Sequence, residues 1–164
     1  DKIKAGVKNF RGVKRSFEYI IKNERIVFID DYAHHPEELR ALINGAKTLF
    51  KQKKCTVIFQ PHLYSRTRDL ADGFAEVLDL ADEVVLLPIY PARELPIEGV
   101  SSETILIRMK NDDRSVMAKT ALLYWIKNEY VPSVNKEFGE ILITAGAGDI
   151  DMLLEQIKNE LKEI

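Results

Sequence analysis

The 164-residue sequence contains a single cysteine, Cys55. One thiol excludes an internal disulfide framework and any zinc site built from a cysteine cluster. No apolar run approaches the roughly 18 residues that a membrane-crossing helix requires. Neither a G-x-x-x-x-G-K-[ST] phosphate loop nor a G-x-S-x-G nucleophile elbow is present. The net charge of −2 excludes a molecule that binds nucleic acid through its overall charge. There are no internal repeats and no low-complexity segments. What remains is a chain that is 46% hydrophobic and 30% charged, enough apolar material for one compact domain or a domain with a tail. The absence of disulfides and of a visible signal sequence leads to the expectation of a reducing cytoplasm.

Charge is unevenly spread. The first 25 residues carry eight Lys or Arg and three Asp or Glu, a local net of +5, which leaves −7 on the rest. A basic start on an acidic body fits an anion site or, equally, a solvated edge. The first residue is Asp1 rather than Met, as expected of a piece of a longer polypeptide.

Helical spacing of Ile3, Val7 and Phe10 suits a helix end over residues 1–10. Strands are expected over 16–21 and 25–29, joined at Lys22-Asn23-Glu24 as a hairpin. From Pro36 the period becomes helical through Leu39, Leu42, Ile43, Ala46, Leu49 and Phe50. The short apolar runs 56–59, 83–87 and 141–144 read as strands, and 115–118 as a shorter one. Helices are expected from Leu70 to Ala81, Ser101 to Met109, Leu122 to Tyr130 and Ile150 to Ile164, with a proline-rich loop over 88–100. Doubly buried strands alternating with amphipathic helices imply an α/β domain with a mostly parallel sheet, preceded by an N-terminal β-hairpin.

In such a sheet, ligands bind beyond the carboxyl ends of the strands. Three polar segments fall there. In Asp30-Asp31-Tyr32-Ala33-His34-His35-Pro36, two carboxylates and two imidazoles converge. They suit ribose hydroxyls, a substrate carboxylate or a proton, or else a capped turn with histidines on backbone groups. In Gln60–Asp69, Arg66 and Arg68 offer guanidinium forks for an acidic small molecule. The alternative there is a helix capped by Thr67 or Asp69, with arginines in surface ion pairs. Gly146-Ala147-Gly148-Asp149 is only half a dinucleotide fingerprint and reads better as a tight turn. Asp30, Asp31, His34, His35 and His62 also raise the alternative of a metal-dependent hydrolase, although adjacent histidines rarely point the same way. Cys55 opens an apolar strand and reads as core.

Five segments carry a resemblance when taken in order. They are Gly12-Val13-Lys14-Arg15, Asp30 to Pro36, Phe59 to Leu70, Tyr90-Pro91-Ala92-Arg93-Glu94, and Gly146 to Ile150. Together they resemble the C-terminal domain of the Mur ligase family over essentially the whole chain. The Q-P-H-x-Y-x-R-T-R stretch is more similar to the alanine-adding member than to the member that recycles murein tripeptide.

The resemblance implies a Rossmann-like domain over residues 13–164, with residues 1–12 as the end of a central ATPase domain. It implies an ATP-dependent acid–amino-acid ligase of the bacterial cytoplasm that serves peptidoglycan synthesis. Its substrates would be UDP-N-acetylmuramate, L-alanine and ATP. ATP and Mg2+ would be bound mainly by the central domain. The muramyl carboxylate is phosphorylated, the amine of L-alanine attacks the acyl phosphate, and phosphate leaves. By position, Asp31 implies a contact to the ATP ribose, and Tyr32, His34 and Arg66 the alanine moiety, with His62 and Arg68 supporting them. The family usually has a second arginine near the ATP phosphates at the position of Ser16; either Arg15 substitutes for it, the contact is weaker, or the residue was altered. Many members have arginine at Leu63, whose replacement shifts weight onto Arg66. No catalytic residue and no metal ligand is implied on this part alone, which is expected to be inactive without the other domains. It is expected to contact no nucleic acid.

Overall fold

The computed structural model describes residues 15–164. The helix expected over 1–10, the Gly12-Val13-Lys14 element and the boundary at residue 12 lie outside the described residues.

Six strands form one sheet: β1 (Glu18–Lys22), β2 (Ile26–Asp31), β3 (Lys54–Phe59), β4 (Glu83–Leu86), β5 (Arg114–Val116) and β6 (Glu140–Ala145), in the order β1-β2-β6-β3-β4-β5. Only β1 is antiparallel, paired to β2 as the expected hairpin. All other pairings are parallel. The central strands are buried on both faces because their residues are apolar without alternation, as in Ile26–Ile29 and Ile141–Ile143. The hairpin turn sits one residue later than expected because Asn23 Oδ1 accepts the backbone N–H groups of Arg25 and Ile26.

Helix α1 (Pro36–Leu49) starts as its sequence dictates, with His35 at the N-cap, Pro36 in the first turn and Glu37 and Glu38 at its positive end. It buries Leu39, Leu42, Ile43 and Ala46. Helix α2 (Tyr64–Leu78) begins six residues before the expected Leu70, and its N-cap is Leu63, neither Thr67 nor Asp69. Leu70 itself has a non-helical backbone (φ −115°, ψ 16°) and kinks the helix. The apolar stripe legible in the sequence is therefore the half beyond the kink. Helix α3 shrinks to Glu103–Leu106. Helix α4 (Lys119–Trp125) runs into a π turn at Ile126–Tyr130 and then α5 (Val131–Ser133). Pro132 has no N–H to offer the preceding turn, and the Val131 N–H bonds back to Ile126, so the helix widens there. The expected C-terminal helix opens as a 3-10 turn over Asp149–Leu153 before α6 (Leu154–Leu161).

Helices α1, α2 and α3 cover one face of the sheet, and α4, the π turn and α6 cover the other. The chain thus leaves β2 and β3 toward one face and β6, which lies between them, toward the opposite face. Loops diverging in this way open a crevice at the carboxyl ends of β2, β6 and β3.

Candidate functional site

The three polar segments meet at that crevice. Asp30 is fully buried and accepts hydrogen bonds from Arg15 Nε at 2.8 Å and Thr144 Oγ1 at 2.7 Å. Arg15 Nη2 donates to the carbonyl of Gly146 at 2.7 Å. The Arg15 guanidinium, expected at nucleotide phosphates, therefore ties the start of the hairpin to the ends of β2 and β6. Among its nitrogens only Nη1 makes no hydrogen bond to a described residue. Asp31 is half-buried, and each of its oxygens accepts one backbone N–H, from Phe17 at 2.7 Å and from Ala33 at 2.8 Å. Burial raises its pKa, and these two bonds act against the rise. A second lone pair on each oxygen is left for a ligand.

From Arg15 a run of rings crosses the strand ends. The guanidinium lies 5.3 Å from the Tyr32 ring centre, Tyr32 lies 5.4 Å from His34, His34 6.1 Å from His62, and His62 5.8 Å from Tyr90. Tyr32 is 49% exposed, so this edge is open. His34 Nδ1 lies 3.0 Å from the carbonyl of Tyr32, which assigns the Nδ1 proton to that bond and leaves Nε2 as an acceptor in the neutral ring. His62 has the opposite tautomer. Its Nδ1 lies 3.1 Å from Arg66 Nη1, which can only donate, so the neutral ring carries its proton on Nε2. Burial, then Arg66 and His34, lower the His62 pKa and keep it neutral.

Arg66 makes that bond and no ion pair to any described carboxylate. Arg68 is exposed and pairs with its neighbour Asp69 at 2.8 Å, as expected of a surface arginine, and it makes no bond to the other site residues. His35 points away into its own cap, where Nδ1 faces the Glu37 N–H at 3.5 Å. Among the described residues no three His, Cys, Asp or Glu side chains assemble as a metal-binding group. The hydrolase alternative thus lacks its constellation, with Asp30 committed to Arg15. Cys55 is buried in the core, and burial pushes its thiol up to about 12.

The glycine loop after β6 is a packing device. Gly146 has φ +145°, and a Cβ there would lie 2.8 Å from the Gln60 carbonyl. A Cβ on Gly148 would lie 2.5 Å from Gln60 Oε1 and 2.6 Å from Tyr90. The buried Gln60 uses this closeness to accept the Ile150 N–H at 3.0 Å and to donate to Asp149 at 2.8 Å. Asp149 also pairs with Lys119.

Two residues of this edge were given no role by the sequence reading, although their segment carries the resemblance: Tyr90 and Glu94, both on the loop between β4 and α3. Tyr90 ends the ring run, and its backbone zips against 61–63 through Tyr90 N to Pro61 O and Leu63 N to Tyr90 O, each 2.9 Å. Glu94 accepts the Ser65 N–H at 3.0 Å and the Ser65 hydroxyl. The usable signal was a missing one, since the first turn of α2 has no capping residue of its own in the sequence.

The fold and edge define the class: a doubly wound α/β domain whose topological switch point carries a ring-lined edge with an arginine that pairs with no described carboxylate. A family model described as "Mur ligase, glutamate ligase domain" matches residues 17–152, and the chain belongs to that family. It is 48% identical over 158 residues to a UDP-N-acetylmuramate–L-alanine ligase of Cytophaga hutchinsonii, covering 96% of this chain and 32% of that protein. A protein of the same name from Flavobacterium johnsoniae is 47% identical, with 99% and 34% covered. The chain thus spans about a third of the length of the curated relatives it matches. Among solved structures, UDP-N-acetylmuramate-alanine ligase of Thermotoga maritima superposes with a TM-score of 0.65 at 28% identity, covering 97% of this chain and 31% of that one. A murein peptide ligase of Psychrobacter arcticus, at 20% identity and TM-score 0.71, shares the fold.

Proposed function

We propose that this chain is the C-terminal domain of an ATP-dependent ligase that joins L-alanine to UDP-N-acetylmuramate, with residues 13–164 forming the domain and 1–12 leading in from a central one. The observation that carries the reading is Arg66. It is a guanidinium that pairs with no described carboxylate, braced by a neutral imidazole, at the open edge of a chain whose 42–48% identical relatives bear that name. Of the five guanidinium N–H groups of Arg66, the four with no described partner include a fork that fits a carboxylate in a fixed geometry. His62 Nε2–H adds a neutral donor, and His34 Nε2 offers an acceptor for the proton that the alanine ammonium must lose before it attacks. Tyr32 walls the site. Asp31 has lone pairs left for ribose hydroxyls, and Arg15 Nη1 makes no hydrogen bond to a described residue.

ATP is a substrate here, and its phosphates find no loop on this chain. The described residues do not fit a Mg2+ site, so no step is assigned to the metal. The domain's contribution is to orient the amine and keep water from the acyl phosphate, which makes the part inactive alone. Neighbouring domains, the bacterial cytoplasm and peptidoglycan synthesis follow from the same reading.

The test uses the full-length ligase. Phosphate release should require UDP-N-acetylmuramate, L-alanine and ATP together. Arg66→Ala should raise the KM for L-alanine roughly a hundredfold, the value of a lost pair of charge-assisted hydrogen bonds, and leave the KM for ATP within a factor of about two. Equal rises for both substrates would refute the assignment. Acceptance of murein tripeptide in place of L-alanine would move the chain to the recycling ligase.

A further inference from the structure

Helix α2 carries Arg66 in its first turn, yet its N-cap residue is Leu63, which has no side-chain oxygen and sits at φ +72°. Left to itself, such a helix start exposes unsatisfied N–H groups and frays. It is held instead from a distant segment. Glu94 places Oε1 on the Ser65 N–H and Oε2 on the Ser65 hydroxyl, one residue before Arg66. These bonds, the hydroxyl first, draw the Glu94 pKa down. The Glu94 loop is itself shaped for the task. Glu94 N donates to Pro91 O at 2.9 Å, and Ala92 is held at φ +53°. Left-handed backbone at two residues without glycine's freedom persists only where the surroundings over-determine it. Here the two strained residues flank one junction, closed by the zipped pairs of Tyr90 with Pro61 and Leu63.

We propose that Glu94 is a positioning residue of the amino-acid site: it caps α2 from the opposite loop and so fixes the direction in which Arg66 presents its guanidinium. The proposal rests on the reading of Arg66 as the group that receives the substrate carboxylate. Glu94 also fills the positive end of α2 with a protein carboxylate. A substrate carboxylate is thereby denied the helix end and directed to Arg66.

The experiment measures KM for L-alanine and for ATP in the full-length ligase. The variants are Glu94→Ala, Glu94→Gln, Ser65→Ala, Arg66→Ala and the double variant of Glu94→Ala with Arg66→Ala. Glu94→Ala is expected to raise the alanine KM about tenfold, as loss of a charge-assisted cap does, with the ATP KM unchanged. Glu94→Gln keeps an acceptor for the Ser65 N–H and a donor for its hydroxyl, so it is expected to stay within about threefold of wild type. The double variant should be no worse than Arg66→Ala alone, since Glu94 acts through Arg66. Multiplying effects in the double variant, or a Glu94→Gln variant as impaired as Glu94→Ala, would overturn the proposal. If Glu94→Ala does not fold, Ser65→Ala alone and combined with Arg66→Ala carries the same cycle, with a smaller rise expected. Should Arg66→Ala leave the alanine KM unchanged, the site reading fails. Should Arg66→Ala raise it while Glu94→Ala does not, only the role of Glu94 fails.

Discussion

Replacing Arg15 by alanine tests how the ligand edge is built. Its partner Asp30 is fully buried, and the Arg15 side chain is itself 12% exposed, so the pair is shielded from solvent. The variant removes the 2.8 Å bond to Asp30 and the 2.7 Å bond to the Gly146 carbonyl, leaving Asp30 with only the Thr144 hydroxyl. Breaking a buried ion pair from one side costs about 3–5 kcal/mol, chiefly from the charge left behind. For a domain of this size each kcal/mol lowers Tm by about 2–4 °C. A cost near 4 kcal/mol therefore corresponds to a fall of roughly 8–16 °C. Urea denaturation and a thermal melt of this chain measure both quantities. Two controls separate the mechanism from general damage. Adding Asp30→Asn to Arg15→Ala keeps an acceptor for Thr144 and removes the stranded charge, so the double variant should be more stable than Arg15→Ala alone. Raising salt from 0.1 to 1 M should change the difference between wild type and variant little, since a buried pair is poorly screened. A loss under about 1 kcal/mol, or a double variant less stable than the single one, would show that the pair does not hold the edge together.

Three further outcomes follow from the same geometry. His62 should titrate below its ordinary value by NMR, and Arg66→Ala should bring it partway back. Because its folded pKa is lowered, its stabilising contribution is present above the unfolded value and is lost as pH falls through the folded one. Glu140 is buried and its pKa is raised by burial, so its contribution is present below the unfolded value and lost as pH rises through the folded one. Glu140→Gln should then gain stability relative to wild type as pH rises above the ordinary glutamate value in pH-dependent denaturation, and a constant difference would refute this. Gly148→Ala should cost about 1–3 kcal/mol by overpacking and raise the alanine KM, because its Cβ would strike Tyr90, whose backbone is zipped to Pro61 and Leu63. Melting and KM measurements on the same variant check both.

The parallel strands were legible because burial on both faces forces unbroken apolar runs, and few other structures need Ile141-Leu142-Ile143 or Val84-Val85-Leu86. Helix α1 was legible for the same reason joined to its Pro36 and acidic first turn. The start of α2 was not. Residues 64–69 present no apolar stripe, the cap comes from Glu94 some thirty positions away, and the kink at Leu70 resets the face. The π turn before Pro132 and the 3-10 start at Asp149 were hidden too, since both depend on backbone bonding that side-chain periodicity does not report. For the site, strand–helix alternation put the right segments at one edge. It could not say which carboxylates were already engaged. Asp30 and Asp31 read alike in sequence, yet one is a buried partner of Arg15 and the other a half-buried acceptor of two backbone N–H groups.

That division explains the character of the edge. The carboxylates that reach it are taken up by the protein: Asp30 by Arg15 and Thr144, Asp31 by two backbone N–H groups, Glu38 by the His34 N–H, Asp149 by Gln60 and Lys119, and Glu94 by Ser65. Each acts on backbone or on a group that holds a loop, so the anions build the scaffold. None is within ion-pairing distance of Arg66, whose only partner among the described residues is a neutral ring. An incoming carboxylate meets a cation whose partner it need not displace, and the cost of breaking an internal salt bridge does not count against binding. The tautomers continue the same logic. By the tautomers their partners assign, His62 directs an Nε2 proton and His34 an Nε2 lone pair, so two neighbouring rings in the run offer one donor and one acceptor. A zwitterionic α-amino acid presents that same pairing, an acceptor carboxylate and a donor ammonium on one carbon. The match is one of charge and hydrogen-bond sense at both ends, which a plain dicarboxylate or a phosphate would satisfy only at the Arg66 end.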